Sequence, residues 1–140
     1  MTSEFGLERF VEAQDHGTYA RAVAELRGGR KRTHWMWFVF PQIAGLGSSA
    51  MARRFAISGL AEARAYLAHP VLGPRLRECV SVVAQLGVDD PVAVLGPVDA
   101  LKLRSSMTLF QAAAPEEPVF ASVLDRLYGA EPDPATLARL

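Results

Sequence analysis

The feature that most limits the fold is an apolar block with no period in it. From His34 to Phe40 the chain reads His-Trp-Met-Trp-Phe-Val-Phe, and every residue after His34 is apolar. Such a run has neither the alternation of a half-buried strand nor the single stripe of a surface helix, so it must be enclosed on all sides. It carries both tryptophans of the chain and lies between Arg30-Lys31-Arg32 and a Pro41-Gln42 that opens onto a glycine-rich turn. A buried helix suits it better than a buried strand, because the neighbouring segments have helical spacing and no second strand is evident. On that helix His34, Trp37 and Phe38 share one face, and Trp35 and Val39 another. Pro41 ends it.

The enclosing elements are expected to be helices. Phe5–Gln14 turns Leu7, Phe10, Val11 and Gln14 to one side, and Tyr19–Leu26 repeats the spacing with Tyr19, Ala22, Val23 and Leu26. Thr18 is the expected N-cap of the second, and Gly28-Gly29 its stop. Ala50–Ile57 and Ser58–Leu67 are shorter; Leu60, Ala63 and Leu67 point inward and Glu62 lies on the flank. Val71–Leu86 has the longest stripe, with Leu72, Leu76, Cys79, Val80, Val83 and Leu86 inside and Arg75, Arg77 and Glu78 largely outside. Pro74 is tolerated there in the first turn. Asp90-Pro91 starts a one-turn piece ending at Gly96. Asp99–Ala114 follows, then a helix with Val119, Phe120, Val123, Leu124 and Leu127 that Gly129 closes. Asp133-Pro134 starts a last short turn whose Leu137 and Leu140 should cover the core. The expectation is an all-α fold, a compact single-domain array of short and medium helices over residues 1–140.

Charge narrows the function. Lysine plus arginine and aspartate plus glutamate each number 15, so no whole-molecule field draws the chain to nucleic acid or to a lipid surface. With 50% hydrophobic and 21% charged residues it is a folding chain and not a disordered one. Glu4, Glu8 and Arg9 interrupt any signal-like segment, no window has the length of a membrane span, and one cysteine, Cys79, suits a reducing compartment. A cytoplasmic location is expected. Cys79 belongs to an apolar stripe and reads as a small buried hydrophobe.

Chemistry has few places to reside. One candidate site joins His34, Trp37 and Gln42 to Asp99, Lys102, Ser105, Ser106 and Thr108, provided the two segments meet. The indole would supply a stacking wall, and Gln42 with the hydroxyls would orient a polar ligand. Lys102 would neutralise a phosphate or carboxylate, or pair with Asp99, and His34 would move a proton. The hydroxyls are notable because they occupy helix positions where leucine would fill space. A second feature is Gly45-Leu46-Gly47-Ser48-Ser49, whose backbone donors, with Ser48 and Ser49, resemble an anion nest at a helix start with Arg53 and Arg54 a turn on. It lacks the Gly-Lys-Ser/Thr of a nucleoside-triphosphate loop. A serine triad has no strand-turn-helix elbow to sit on, and His16, His34 and His69 are too scattered for a metal site. Arg27, Arg30, Lys31 and Arg32 beside Trp35 and Trp37 form the basic run a weak nucleic-acid binder would use.

The segments Phe10–Gln14, His34–Gln42, Gly45–Ser49, Glu62–Leu67 and Asp99–Phe110 together closely resemble the bacterial family catalogued as domain of unknown function 1810, over nearly the whole chain. The resemblance implies a small, largely helical protein and brings no established activity or cofactor. Its characteristic polar positions are matched by Gln14, His34, Gln42, Glu62, Asp99, Lys102, Ser105, Ser106 and Thr108. Some similar proteins bear a calpastatin label, which a compact apolar sequence does not support. The leading expectation is a helical domain that binds a small anionic or nucleotide-like ligand; a non-catalytic protein-interaction domain is the alternative. Neither reading specifies a reaction.

Overall fold

Helices enclose the apolar block, as its lack of period requires. The computed structural model describes residues 5–140 and contains, among them, ten helices and one isolated β-bridge. They are α1 (Glu8–Gln14), α2 (Thr18–Arg27), α3 (Met36–Val39), α4 (Ala50–Arg54), α5 (Leu60–Ala68), α6 (Leu72–Gln85), α7 (Pro91–Leu95), α8 (Pro97–Ala113), α9 (Pro118–Tyr128) and α10 (Pro134–Leu137). The fold is all-α. The longest helix, α8, packs against α5, α7, α9 and α10, while α6 packs against α2, α5 and α9.

The block itself departs from the expected helix. Only Met36–Val39 is helical, because Trp35 has φ −142° and ψ 2°, and Phe40 has φ −123° and ψ 75°. A residue before proline avoids the helical region, so Pro41 stops the helix one residue earlier than its own position. His34 therefore lies outside α3, is exposed, and shares no helical face with Trp37 and Phe38. Trp35 and Phe40 are buried and tilted against each other at 6.2 Å.

A buried polar chain holds α3 in place. The Gln14 side-chain amide donates to the Phe38 carbonyl at 2.7 Å, and its oxygen accepts from Arg75 at 3.2 Å. Tyr66 is also fully buried, and its hydroxyl lies 3.3 Å from the Gln14 nitrogen. These bonds satisfy groups that would otherwise be stranded in the core. They also show that Arg75 is drawn inward, contrary to the expected outer position, and Arg77 likewise pairs with Glu117 at 2.7 Å.

Other expectations are corrected locally. Gly17, at φ 82°, precedes α2, so Thr18 is its first residue and caps nothing. α4 stops at Arg54, and Ile57 instead bridges Ile43, with Ala44 N–H donating to Ile57 O at 2.8 Å and Ile57 N–H to Gln42 O at 2.9 Å. That bridge ties both ends of the glycine-rich turn. Glu62 is buried and accepts from Arg9 at 2.8 Å and from the Ser58 amide and hydroxyl at 2.9 and 2.8 Å. Leu137 and Leu140 are exposed, and Thr136 is the buried residue of α10. Other boundaries match more closely: Pro74 sits in the first turn of α6, the Asp90 side chain caps Val92, and Gly129 at φ 60° closes α9.

Candidate functional site

The basic run and α8 meet at one carboxylate. Asp99, in the first turn of α8, accepts from Lys102 at 3.0 Å and from Lys31 at 2.9 Å. Lys102 is one helical turn along from Asp99, so that pair is local. Lys31 arrives from far away in sequence because its backbone N–H is bonded to the Val94 carbonyl at 2.7 Å, at the end of α7. Burial pushes the Asp99 carboxyl up, but the two ammonium groups outweigh it and hold it below the ordinary carboxylate range. Two lysines against one aspartate leave one positive charge on this face.

The same lysines lie on the two tryptophans. Lys102 Nζ is 3.9 Å from the Trp37 ring centroid, and Lys31 Nζ is 5.2 Å from that of Trp35. Both are within the range of a cation on an aromatic face. Trp35 is buried and Trp37 half-buried, so Trp37 is the ring that a ligand can reach.

Glu25 of α2 fixes the segment between them. Its carboxylate accepts from the Trp35 indole N–H at 2.9 Å, the Arg32 and Thr33 amides at 2.7 and 3.0 Å, and the Thr33 hydroxyl at 2.6 Å. Burial pushes this carboxyl up, yet the Thr33 hydroxyl, the Arg32 and Thr33 amides and the Trp35 indole together bring it down to about 2. The sequence gives no sign of Glu25 and groups Lys31 with Arg27, Arg30 and Arg32 as a basic run. The spacing of Glu25 from Thr33 and Trp35 follows no helical or strand period, so nothing local marks it.

Trp37 also borders a small cavity with Gln42, Ile43, Gly45, Leu46, Gly47, Ala52 and Phe55. Its volume is about 10 Å³, enough for a single water-sized group. Gln42 lines it, and its amide nitrogen is buried without a hydrogen-bond partner among the described residues. An unpaired buried donor is costly, and a ligand acceptor would relieve it.

The other predicted residues divide. Ser105 donates to Asp133 at 2.8 Å, and Thr108 donates to the Arg104 carbonyl while accepting from the Asp133 amide at 2.9 Å. Their hydroxyls thus clamp the segment leading into α10 and do not join the lysines. Ser106 is fully buried, and its hydroxyl has no partner among the described residues. Ser49 caps α4 by accepting from the Ala52 amide at 3.1 Å, and Ser48 is exposed, so the expected nest is a capped turn of a five-residue helix. His34 is exposed, and no hydrogen bond or charge pair joins it to Asp99 or Lys102 among the described residues. The expected basic run is split as well: Lys31 turns inward and Arg27 pairs loosely with Glu78 at 3.6 Å.

The outlying features are inert. Cys79 is buried, which pushes its thiol up to about 12, the reverse of an activated nucleophile. Among the described residues no three His, Cys, Asp or Glu side chains gather as a metal site requires. No described helix is long and apolar enough to cross a membrane.

The sequence matches the family described as protein of unknown function (DUF1810) over residues 4–140. The chain belongs to that family. It is similar to the crystal structure of the conserved hypothetical protein Rv1873 from Mycobacterium tuberculosis, with 51% identity, a TM-score of 0.95, and coverage of 99% of this chain and 98% of that one. None of the curated proteins matches it. The family supplies the fold and leaves the function to be argued from the site.

Proposed function

We propose that this protein is a cytoplasmic binding domain for a small carboxylate- or phosphate-bearing ligand, nucleotide-like molecules included, held at the Trp37 edge. The observation that carries the reading is that one half-buried indole joins two features: Lys102 lies on it at 3.9 Å, and it walls the cavity lined by Gln42, whose buried amide nitrogen has no partner among the described residues. Lys102 supplies charge, Trp37 a flat apolar face, and Gln42 a donor that has no protein acceptor. Asp99 and Lys31 hold Lys102 and its surroundings in position. This arrangement orients a ligand, and its ionised, doubly paired Asp99 is a poor proton donor.

A screen of nucleotides, phosphorylated sugars and small carboxylates by intrinsic tryptophan fluorescence and thermal shift tests the reading. A saturable signal for one class, weakened at least tenfold in both Lys102→Ala and Gln42→Leu, is expected. Saturation that survives both substitutions would remove the ligand from this site.

The exposed apolar residues Val98 and Leu101, one turn apart on α8 and 63% and 65% exposed, favour a second reading, a protein-interaction surface. Concentration-dependent sedimentation of the native protein that Leu101→Ser abolishes would support that reading where the partner is another copy.

A further inference from the structure

The inward turn of Lys31 leaves its neighbours behind. Residues 30–32 are non-helical and follow the glycine stop of α2, where Gly29 has φ 75°. Lys31 is anchored toward Val94 and Asp99. Arg30 and Arg32, on either side of it, are exposed and line a cleft of about 270 Å³ together with Arg21, Ala24, Glu25 and Gly28. Arg21 is one turn before Glu25 on α2, so the cleft has a helical wall and an extended wall.

Three arginines line this cleft, and none of their guanidinium groups has a carboxylate or carbonyl partner among the described residues. The one acid in the lining, Glu25, is fully engaged by the Thr33, Arg32 and Trp35 donors. It fixes the wall without pairing with an arginine side chain. The roots of both extended-wall arginines are nevertheless held: Arg30 N–H donates to the Glu25 carbonyl at 3.1 Å and Arg32 N–H to the Glu25 carboxylate at 2.7 Å. Three arginines on a held backbone, with heads that no protein acid takes up, present several planar forks to one anion.

We propose that the Arg21–Arg30–Arg32 cleft is an oligophosphate site, taking a small molecule with two or more linked phosphoryl groups. A cleft of this volume lies just under the range of drug-sized pockets, which suits a compact polyanion. Linked phosphoryl groups offer enough acceptor oxygens for three forks, whereas a single carboxylate would leave at least one fork unmatched. The site shares no residue with the Trp37 site, so the two readings stand separately.

Isothermal titration with sodium pyrophosphate at fixed ionic strength is the test, on the native chain and on Arg30→Ala, Arg32→Ala, Arg53→Ala and Lys102→Ala. Saturation at the cleft is expected, weakened at least tenfold by either cleft substitution and unchanged by Arg53→Ala. Arg30 and Arg32 are exposed, so circular dichroism should show all variants folded. Absence of saturation in the native chain, or equal weakening by Arg53→Ala, would overturn the proposal as general surface charge. Loss in Lys102→Ala alone would move the phosphate to the Trp37 site. A duplex oligonucleotide that displaces pyrophosphate with a steep salt dependence would also overturn it, in favour of a nucleic-acid backbone.

Discussion

Two carboxylates at helix starts, Glu62 on α5 and Asp99 on α8, have been given opposite surroundings. Glu62 is 3% exposed, and its partner Arg9 also donates to the carbonyls of Phe5, Gly6, Arg54 and Ala56. Every strong group in that hub has a protein partner. Asp99 is half-buried between two lysines, one of which lies on a reachable tryptophan. A closed hub joins α1, the segment after α4 and the start of α5, whereas an open one keeps donors available. The difference teaches that a buried charge is fully neutralised when its network is complete, and that charge is left over when two cations share one acid.

The largest effect should come from breaking the closed hub. Arg9→Ala leaves the buried Glu62 carboxylate unpaired and is expected to cost about 3–5 kcal/mol. Urea unfolding would measure it, and ligand response at Trp37 in the remaining folded protein should be unchanged.

Glu25 ranks next, being engaged like Glu62 although it lies beside the open site. Replacing it as Glu25→Gln weakens charge-assisted bonds and should cost about 2 kcal/mol at neutral pH. Its folded value of about 2 is below its ordinary value of 4.5, so the ionised form is favoured by folding. The contribution is complete above about 4.5 and is lost as pH falls toward about 2. The gap in urea midpoint between the native chain and Glu25→Gln should therefore narrow across that window.

At the open hub, single losses should be small and their combination larger. Lys102→Ala removes a partly exposed ion pair and a cation on Trp37, about 1 kcal/mol together. Lys31→Ala should be comparable, because Asp99 keeps Lys102. The double variant strands Asp99, so its cost should exceed the sum of the two, as a double-mutant cycle in urea would show. Strict additivity would mean that the two lysines act independently.

Ser106→Ala should change least. Its hydroxyl is buried without a partner among the described residues, so removing it is expected to be neutral or stabilising, within about 0.5 kcal/mol. Ser105→Ala, by contrast, should loosen α10 by about 1 kcal/mol because it removes a bond to Asp133. Hydrogen exchange at the amides of residues 133–137 would separate the two.

The helices from α5 to α9 are visible in the chain because their apolar stripes, prolines and glycines act over a few residues. The aperiodic block is not, since an all-apolar run says that it is buried without saying in which conformation; Phe40 before Pro41 then decided where α3 ended. Nothing local in the sequence brings Lys102 to Trp37, since the two lie on separate segments, and the tertiary structure joins them. Ser105 and Thr108 share α8 with Lys102, yet Asp133, just before α10, takes up both hydroxyls. Glu62 looked like a flank residue until Arg9, far away in sequence, was packed against it.

The sequence by itself determined an all-α fold, a core built around Trp35 to Phe40, and the prolines, glycines and Asp90 cap that bound many of its helices. Those properties are local, set by side-chain period and by the backbone limits of proline and glycine. Only the tertiary structure decided that Lys31 turns in while Arg30 and Arg32 turn out, that Glu25 holds Trp35, and that Gln42 is left with a buried donor and no acceptor. Such choices depend on which helices pack together, because a polar group is satisfied by whatever the packing brings within about 3 Å, at any distance along the chain.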